Sequence, residues 1–80
     1  MVVVKNGSRL PIGHNELLVV RQARSDSTCD VCHRTIRVGG WIAQEVVTES
    51  GWTGRVRTIK RTMCQQCGGR HYNLRFQDGS

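Results

Sequence analysis

Two cysteine pairs constrain this chain more than any other feature of its sequence. Cys29 and Cys32 form the first Cys-x-x-Cys pair, Cys64 and Cys67 form the second, and residues 33–63 separate them. The two-residue spacer lets a tight turn direct both sulfur atoms at one ion, and two such turns facing each other complete a tetrahedral set of four thiolates. This set leaves no coordination position for water or substrate, which is typical of a structural metal. The sequence therefore predicts one structural zinc ion bound by all four cysteines.

The size of the chain explains why a metal would be needed. With 80 residues the chain has room for one domain, and a domain of this size buries a limited share of its apolar surface. The longest apolar runs, Val2–Val4 and Leu17–Val20, both precede the first cysteine. The segment between the pairs therefore needs another source of stability, and small domains commonly obtain it from disulfides or from a structural metal.

Other uses of paired cysteines fit this sequence less well. The N-terminus lacks the pattern of an export signal and no apolar run is long enough to span a bilayer, so we expect a cytoplasmic protein without stable disulfides. Residues Cys29–His33 satisfy the c-type haem attachment pattern, but that attachment follows export. A thioredoxin-like redox pair needs a βαβ unit that a chain of this length cannot build around it. A rubredoxin-like iron site uses the same four thiolates, and the sequence leaves iron open as the alternative to zinc.

Local patterns predict strands before and after the first cysteine pair. The segments Val2–Val4 and Leu17–Ala23 are short, apolar and rich in valine, as strands are. Residues 41–48 and 55–63 suit two more strands, and the loop between them contains two glycines, so together they predict a β-hairpin. Strict alternation along the second hairpin strand places four side chains on one face, namely those of Arg55, Arg57, Ile59 and Arg61.

The region after Cys67 fits either a helix or a strand. Tyr72, Leu74 and Phe76 alternate as in a strand, whereas Tyr72 and Phe76 also have the spacing of one helix face. We expect a short helix whose first turn contains the second cysteine pair. The chain is accordingly divided into an N-terminal lead-in with one or two short strands (1–28), a four-cysteine zinc-binding domain (29–77) and a tail (78–80).

The residues around both pairs resemble known zinc fingers. The stretch from Cys29 to Ile42, where an apolar residue and then a glycine follow the pair, is similar to the zinc knuckle of treble-clef fingers. Residues 63–68, with Tyr72 and Leu74 beyond them, resemble the helix-opening second pair of GATA-type fingers. They resemble about equally the second knuckle of the zinc ribbons in transcription elongation factors. The resemblance implies a small metal-stabilised α+β domain with a zinc knuckle, a β-hairpin and a short C-terminal helix, and a zinc ribbon is the alternative.

The charge distribution points to an anionic partner. The formal net charge is +6, and no acidic residue lies between Glu49 and Asp78. Basic side chains clustered in one half of a domain favour polyanions, because Lys and Arg displace the counterions condensed on phosphates. We therefore predict a nucleic-acid-binding module, such as a small transcription or replication accessory factor. Its candidate phosphate contacts on the hairpin strand and the C-terminal segment are Arg55, Arg57, Lys60, Arg61, Arg70 and Arg75.

A protein-interaction adaptor is the alternative function. Trp52 lies in the hairpin loop, where it has little core to join, and is a candidate contact for a base or for a protein. An adaptor would present Trp52 and the basic strand to an acidic surface of a larger complex such as RNA polymerase. A continuous basic groove would favour nucleic acid, and a basic rim around an apolar patch would favour protein. No nucleophile–base pair, carboxylate dyad or open metal position is visible, so we expect no enzyme, small-molecule substrate or membrane partner.

Overall fold

The computed structural model describes residues 1–52 and 54–77, so the predicted tail, 78–80, lies outside the described residues. It shows a small α+β domain in which the four cysteines cluster at one site. Eight strands and one helix follow one another along the described chain. They are β1 (Val2–Val4), β2 (Arg9–Gly13), β3 (Glu16–Gln22), β4 (Ser27–Thr28), β5 (Thr35–Ile36), β6 (Trp41–Gly51), β7 (Gly54–Cys64), α1 (Gln65–Tyr72) and β8 (Leu74–Phe76).

A four-stranded antiparallel sheet with the order β2-β3-β6-β7 forms the centre of the molecule. Strands β6 and β7 form the predicted hairpin, which is confirmed and extends further at its turn than the sequence indicated. The predicted lead-in contributes β2 and β3 to the same sheet, because β3 pairs with β6 from Glu16↔Val47 to Gln22↔Trp41. The cysteine-containing part of the chain and its N-terminal segment therefore share one sheet.

The two faces of this sheet have different roles. One face, called the core face below, carries Leu18, Val20, Ala43 and Met63, all of them fully buried. Helix α1 and the parallel pair β1–β8 cover it, and Val4 and Leu74 from that pair join the same hydrophobic cluster. The opposite face, called the open face, carries the alternate residues of the same strands, such as Leu17 and Val46. It is covered at one end, where Ile42 packs with Cys29 and Ile36, and the Val46 side chain is largely buried among its neighbours on the face.

Close packing of α1 on the core face explains a glycine inside the helix. Glycine costs roughly 1 kcal/mol relative to alanine in a helix interior. A Cβ atom on Gly68 would lie 3.0 Å from the Cβ of Ala43, which is closer than such contacts normally allow. Gly68 therefore lets α1 approach the sheet, and the ring of Phe76 packs on Trp41 nearby with 5.5 Å between centroids.

A β-bulge in β7 corrects one expectation from the sequence. Glu45 pairs with Arg61, whereas the next residue of β6, Val46, pairs with Ile59, so Lys60 is the extra residue of the bulge. An extra residue reverses the alternation of side chains beyond it. The prediction that Arg61 shares a face with Arg55, Arg57 and Ile59 is therefore wrong, because Arg61 lies on the core face.

The helix α1 has eight residues. Across residues 1–52 and 54–77, no helix has the length and apolar character that crossing a membrane would require.

Candidate metal centre

The four cysteine side chains converge at the end of β7, where the chain enters α1. Their sulfur atoms all lie within 4.8 Å of one another, and the sulfurs of Cys32 and Cys64 are 3.7 Å apart. Four thiolates bound tetrahedrally to zinc at about 2.3 Å have sulfur–sulfur distances of about 3.8 Å. The residues present therefore fit the ion, and the predicted site of one structural zinc bound by all four cysteines is confirmed.

The first pair lies on a compact knuckle between β4 and β5. The backbone N–H of Cys29 donates to the carbonyl of Arg34 at 2.9 Å, and the N–H of His33 donates back to the carbonyl of Cys29 at 3.0 Å. The chain reverses at His33, whose φ of 63° lies in the left-handed region. Because these bonds close the turn around Cys29 and Cys32, both sulfurs are held on one side of it.

Backbone hydrogen bonds prepare one sulfur for metal binding. The N–H groups of Cys32 and Cys64 donate to Sγ of Cys29 at 3.5 and 3.4 Å. Burial opposes ionisation of Cys29, but these backbone donors outweigh it and lower the pKa of the thiol to about 6. Burial, followed by the neighbouring sulfurs, raises the pKa of Cys67 to about 12. Four thiolates this close need a cation to balance their charge, and Zn²⁺ supplies it.

Asp30, between the first two ligands, ties the knuckle to the sheet. Its backbone N–H donates to the carbonyl of Thr62 at 2.8 Å, and its carboxylate Oδ2 accepts the N–H of Thr62 at 2.7 Å. Arg34 adds a hydrogen bond from Nη1 to Oε1 of Gln66 at 3.2 Å. Sequence patterns alone do not single out Asp30, because its partner is recognisable only once β7 lies beside the knuckle.

The three histidines lie outside the cluster of sulfurs. His14, His33 and His71 are all exposed, and within the described chain only the cysteines form a group with metal-binding geometry. A closed set of four thiolates holds the knuckle, β7 and α1 together and offers no position for a reacting ligand.

The basic residues predicted as contacts do not form one surface. Arg55 and Arg57 lie on the open face at the hairpin end, and Lys60 occupies the bulge with its Nζ 3.9 Å from Oε1 of Glu16. Arg70 and Arg75 lie at the other end of the molecule, where they line a cavity of about 780 Å³ beside α1 and β8. Trp52, at the hairpin turn, is fully exposed.

Arg61 belongs to a polar group on the core face. Its Nε donates to Oε1 of Glu45, whose side chain is only 9% exposed. Burial and then the Glu45 carboxylate raise the pKa of Tyr72, which packs beside this pair. Arg61 therefore balances a buried carboxylate, and its guanidinium is engaged in that ion pair.

Removing this guanidinium should destabilise the fold. The variant Arg61→Ala leaves the Glu45 carboxylate buried without its ion pair, and we expect a loss of about 1–3 kcal/mol, below the usual range for a fully buried pair because Arg61 is partly exposed. The exposed Arg57→Ala on the same strand is the matched control and should leave the midpoint nearly unchanged. Urea unfolding measures both, and equal midpoints would contradict a role of Arg61 in stability.

Within the described residues the open face carries four arginines, and the sequence did not reveal that they share one face. The strand register places Arg9 and Arg21 on this face together with Arg55 and Arg57. By register the sheet's carboxylates, Glu16, Glu45 and Glu49, alternate to the opposite side, although Glu16 reaches the edge of a pocket that Leu17 and Arg55 also line. Arg9 and Arg21 precede the first cysteine and were missed because only the pairing of β2 and β3 with β6 brings them near the hairpin.

Comparison with known proteins returns no matching family model, no matching curated protein and no matching solved structure. The class of the protein therefore follows from its site. It is a small zinc-binding module, in which one closed four-cysteine site fixes the geometry of a sheet that has one open face.

Proposed function

We propose that the protein is a zinc-stabilised adaptor that docks through its open sheet face on an acidic surface of a protein partner. The observation that carries this proposal is a continuous apolar row bordered by arginines. Register places Pro11 beside Leu17, Leu17 beside Val46, and Val46 beside Ile59, so the row crosses all four strands. Apolar contacts surrounded by charges are the usual composition of a protein interface.

Arginines lie on both sides of this apolar row. On one side are Arg9 and Arg21, and on the other are Arg57 and Arg55. Arg21 is held in place by Nε, which donates to Oε1 of Gln44 at 3.4 Å, while Nε2 of Gln44 donates to Thr62 Oγ1 at 3.2 Å. Arginine is enriched at interface centres and forms bidentate pairs with carboxylates. A basic rim around an apolar patch favours a protein over a nucleic acid as partner.

The same proposal includes a treble-clef arrangement of the metal site. What supports it is the order of elements, since a knuckle is followed by the β6–β7 hairpin and then by α1, which begins at Gln65. A zinc ribbon would continue directly from the second pair into a strand, and here β8 begins only at Leu74, after the helix. In this arrangement the metal orients α1 against the core face, the knuckle covers the open face at Ile42, and the rest of that face is left to a partner.

Nucleic-acid binding is the second candidate, and the hairpin ribbon favours it. Past Glu16, where β3 begins, the hairpin continues as two strands alone, residues 49–51 and 54–56. Arg55 and Trp52 are exposed near its tip. Basic β-ribbons bind nucleic-acid grooves, and an exposed aromatic side chain can stack on a base. Titration of duplex DNA, single-stranded DNA and RNA over a salt series tests this candidate, because phosphate contacts give an affinity that falls steeply with salt.

Charge reversal on the open face tests the adaptor. The double variant Arg9→Glu/Arg57→Glu should reduce binding of the partner by about tenfold or more, because it places carboxylates opposite an acidic surface. The matched control Arg24→Glu/Arg70→Glu makes the same change in net charge at exposed positions elsewhere and should retain the partner. Partners are enriched from host extract after nuclease treatment, identified by mass spectrometry and titrated as purified proteins. Equal loss in both variants would show that only net charge matters and would contradict a specific face.

Trp52→Ala separates the ribbon tip from the sheet face. Trp52 is fully exposed, so the variant should unfold at the same urea concentration as the parent. If the sheet face carries the interaction, the variant also retains the protein partner. If nucleic acid binds through the ribbon, the variant should lose the binding free energy of one stacked base, about 1–3 kcal/mol. A lower unfolding midpoint would show that Trp52 contributes to the core.

A further inference from the structure

We propose that the occupant of the open face is an acidic amphipathic α-helix of the partner protein, seated with its apolar side on the row formed by Pro11, Leu17, Val46 and Ile59. This inference rests on the proposed adaptor function and names the form of the segment that binds. It follows from the protection of the sheet edges, the pairing of the backbone on the face, the size of the row and the charges around it.

Both edges of the sheet are protected against an added strand. On β7 the bulge at Lys60 interrupts the edge, and Asp30 already occupies the N–H and carbonyl of Thr62. On β2, Pro11 has no N–H to donate, and the pairing register shifts between Pro11 and Gly13. Bulges and prolines are the features by which proteins block strand addition at sheet edges. An extended partner peptide therefore gains little from β-augmentation here.

The open face favours a partner segment whose backbone N–H and carbonyl groups pair within the segment itself. In the interior of the sheet, the N–H and carbonyl groups of β3 and β6 are used in pairing with their neighbours on both sides. A segment lying on this face receives only side-chain contacts, and an unpaired backbone group covered by the interface is costly. An α-helix pairs its own backbone groups internally, so it can cover the apolar row without that cost.

The row matches a short amphipathic helix in length. Four strands spaced by about 4.8 Å place its outer side chains about 14 Å apart. A helix rises 1.5 Å per residue, so about nine to ten residues span this distance. The structure has a shallow cavity of about 260 Å³ on this face, lined by Arg9, Leu17, Val19, Gln44, Val46, Arg57 and Ile59. Its apolar residues can receive side chains that recur along one helix face.

The surrounding charges select an acidic protein segment. Arg9 and Arg57 both line the cavity, and its described lining includes no carboxylate to compete for them. A second copy of this chain would oppose arginine with arginine, which disfavours self-association through this face. The described residues of this face also include no aromatic ring, so it lacks the stacking platform that single-stranded nucleic acids use.

The test uses synthetic peptides of about 14 residues and the zinc-loaded chain. The probe peptide has leucines at helical spacing with glutamates beside them, and a scrambled peptide keeps the composition but loses the amphipathic pattern. Fluorescence anisotropy should show binding of the probe about tenfold or more tighter than binding of the scrambled peptide. Amide shifts in ¹H–¹⁵N spectra should concentrate at Leu17, Val19, Val46 and Ile59.

Two variants of β7 provide the matched comparison. Ile59 and Val56 are similarly exposed, at 54% and 49%, but they lie on opposite sides of the strand. Ile59→Asp should weaken probe binding about tenfold, whereas Val56→Asp should leave it nearly unchanged. Circular dichroism and zinc content confirm that both variants remain folded.

The remaining outcomes overturn either the helix inference alone or the adaptor function together with it. Equal binding of the scrambled and the amphipathic peptide would overturn the helix inference. So would binding of neither peptide while a protein partner is still retained after nuclease treatment. In both cases the adaptor function stands. If neither peptide binds, no protein partner is retained and nucleic acid shifts the open-face amides, both the inference and the proposed function fail. Equal losses in Ile59→Asp and Val56→Asp would also overturn the assignment to the open face.

Discussion

Chelation of the bound zinc is expected to unfold the whole domain. The ion joins the knuckle to β7 and α1, and the buried cluster beside it contains only four side chains, those of Ala23, Cys29, Ile36 and Ile42. A structural zinc site contributes an apparent 10–16 kcal/mol, roughly, which equals or exceeds the stability of most small domains, about 5–15 kcal/mol. Native mass spectrometry should show one zinc per chain, and near-ultraviolet circular dichroism should be lost on chelation and return with zinc.

Cys32→Ser isolates the contribution of the metal. Cys32 is exposed, so replacing its sulfur by oxygen changes little packing, yet it removes one of four ligands. We expect loss of zinc and of the folded spectrum at neutral pH. The neighbouring His33→Asn is the matched control and should keep one zinc, because His33 lies outside the sulfur cluster and asparagine tolerates its left-handed backbone. Retention of zinc and fold by Cys32→Ser, or loss of zinc from His33→Asn, would contradict the four-cysteine site.

Leu18→Ala is expected to have the second largest effect. Leu18 is 0% exposed on the core face, where it belongs to the cluster that includes Val20 and Met63. Truncating a fully buried leucine loses its transfer free energy and leaves a cavity, at about 2–5 kcal/mol. In a domain this small, such a loss removes a large fraction of the total stability. Urea unfolding of the zinc-loaded protein, with zinc held constant, measures the change.

Leu17→Ala is the natural control because it makes the same chemical change one residue away. Leu17 is only partly buried and lies on the open face, so its truncation should cost about 1 kcal/mol or less. The same variant should weaken binding of the acidic helical peptide, because Leu17 belongs to the apolar row on which the peptide is proposed to lie. Similar losses of stability in both variants would mean that Leu17 is as deeply buried as Leu18, which would contradict an open face.

The sequence predicted the parts of this structure that depend on short-range patterns. The spacing within each cysteine pair predicted the metal ligands, and the strand-like composition of 41–48 and 55–63, with two glycines in the loop between them, predicted the hairpin. Of the two alternatives after the second pair, the preferred helix is present as α1, which ends at Tyr72, but Leu74–Phe76 form strand β8, so Phe76 does not share a helix face with Tyr72. In each case the relevant residues lie within one turn, one strand or one hairpin, where side-chain periodicity and turn chemistry act directly.

The rest depends on contacts between residues far apart in the chain. The bulge at Lys60 comes from how β7 aligns with β6, and nothing in the composition of β7 distinguishes it from a regular strand. The exchange of hydrogen bonds between Asp30 and Thr62, and the alignment of Arg9 with the hairpin arginines, arise from the same tertiary pairing. Register is set by the whole fold, and a one-residue shift reverses the face of every side chain beyond it.

The parallel pair β1–β8 has a consequence for synthesis of the protein. Val2–Val4 is synthesised long before Leu74–Phe76, yet each needs the other to complete the cover over the sheet. Cys64 and Cys67 are likewise translated long after Cys29 and Cys32. Because a nascent chain emerges from its N-terminus, at about 5–20 residues per second, the domain stays incomplete until Leu74–Phe76 leave the ribosome. Metal capture by all four cysteines and closure of the core over β3 are therefore expected as late and closely spaced events.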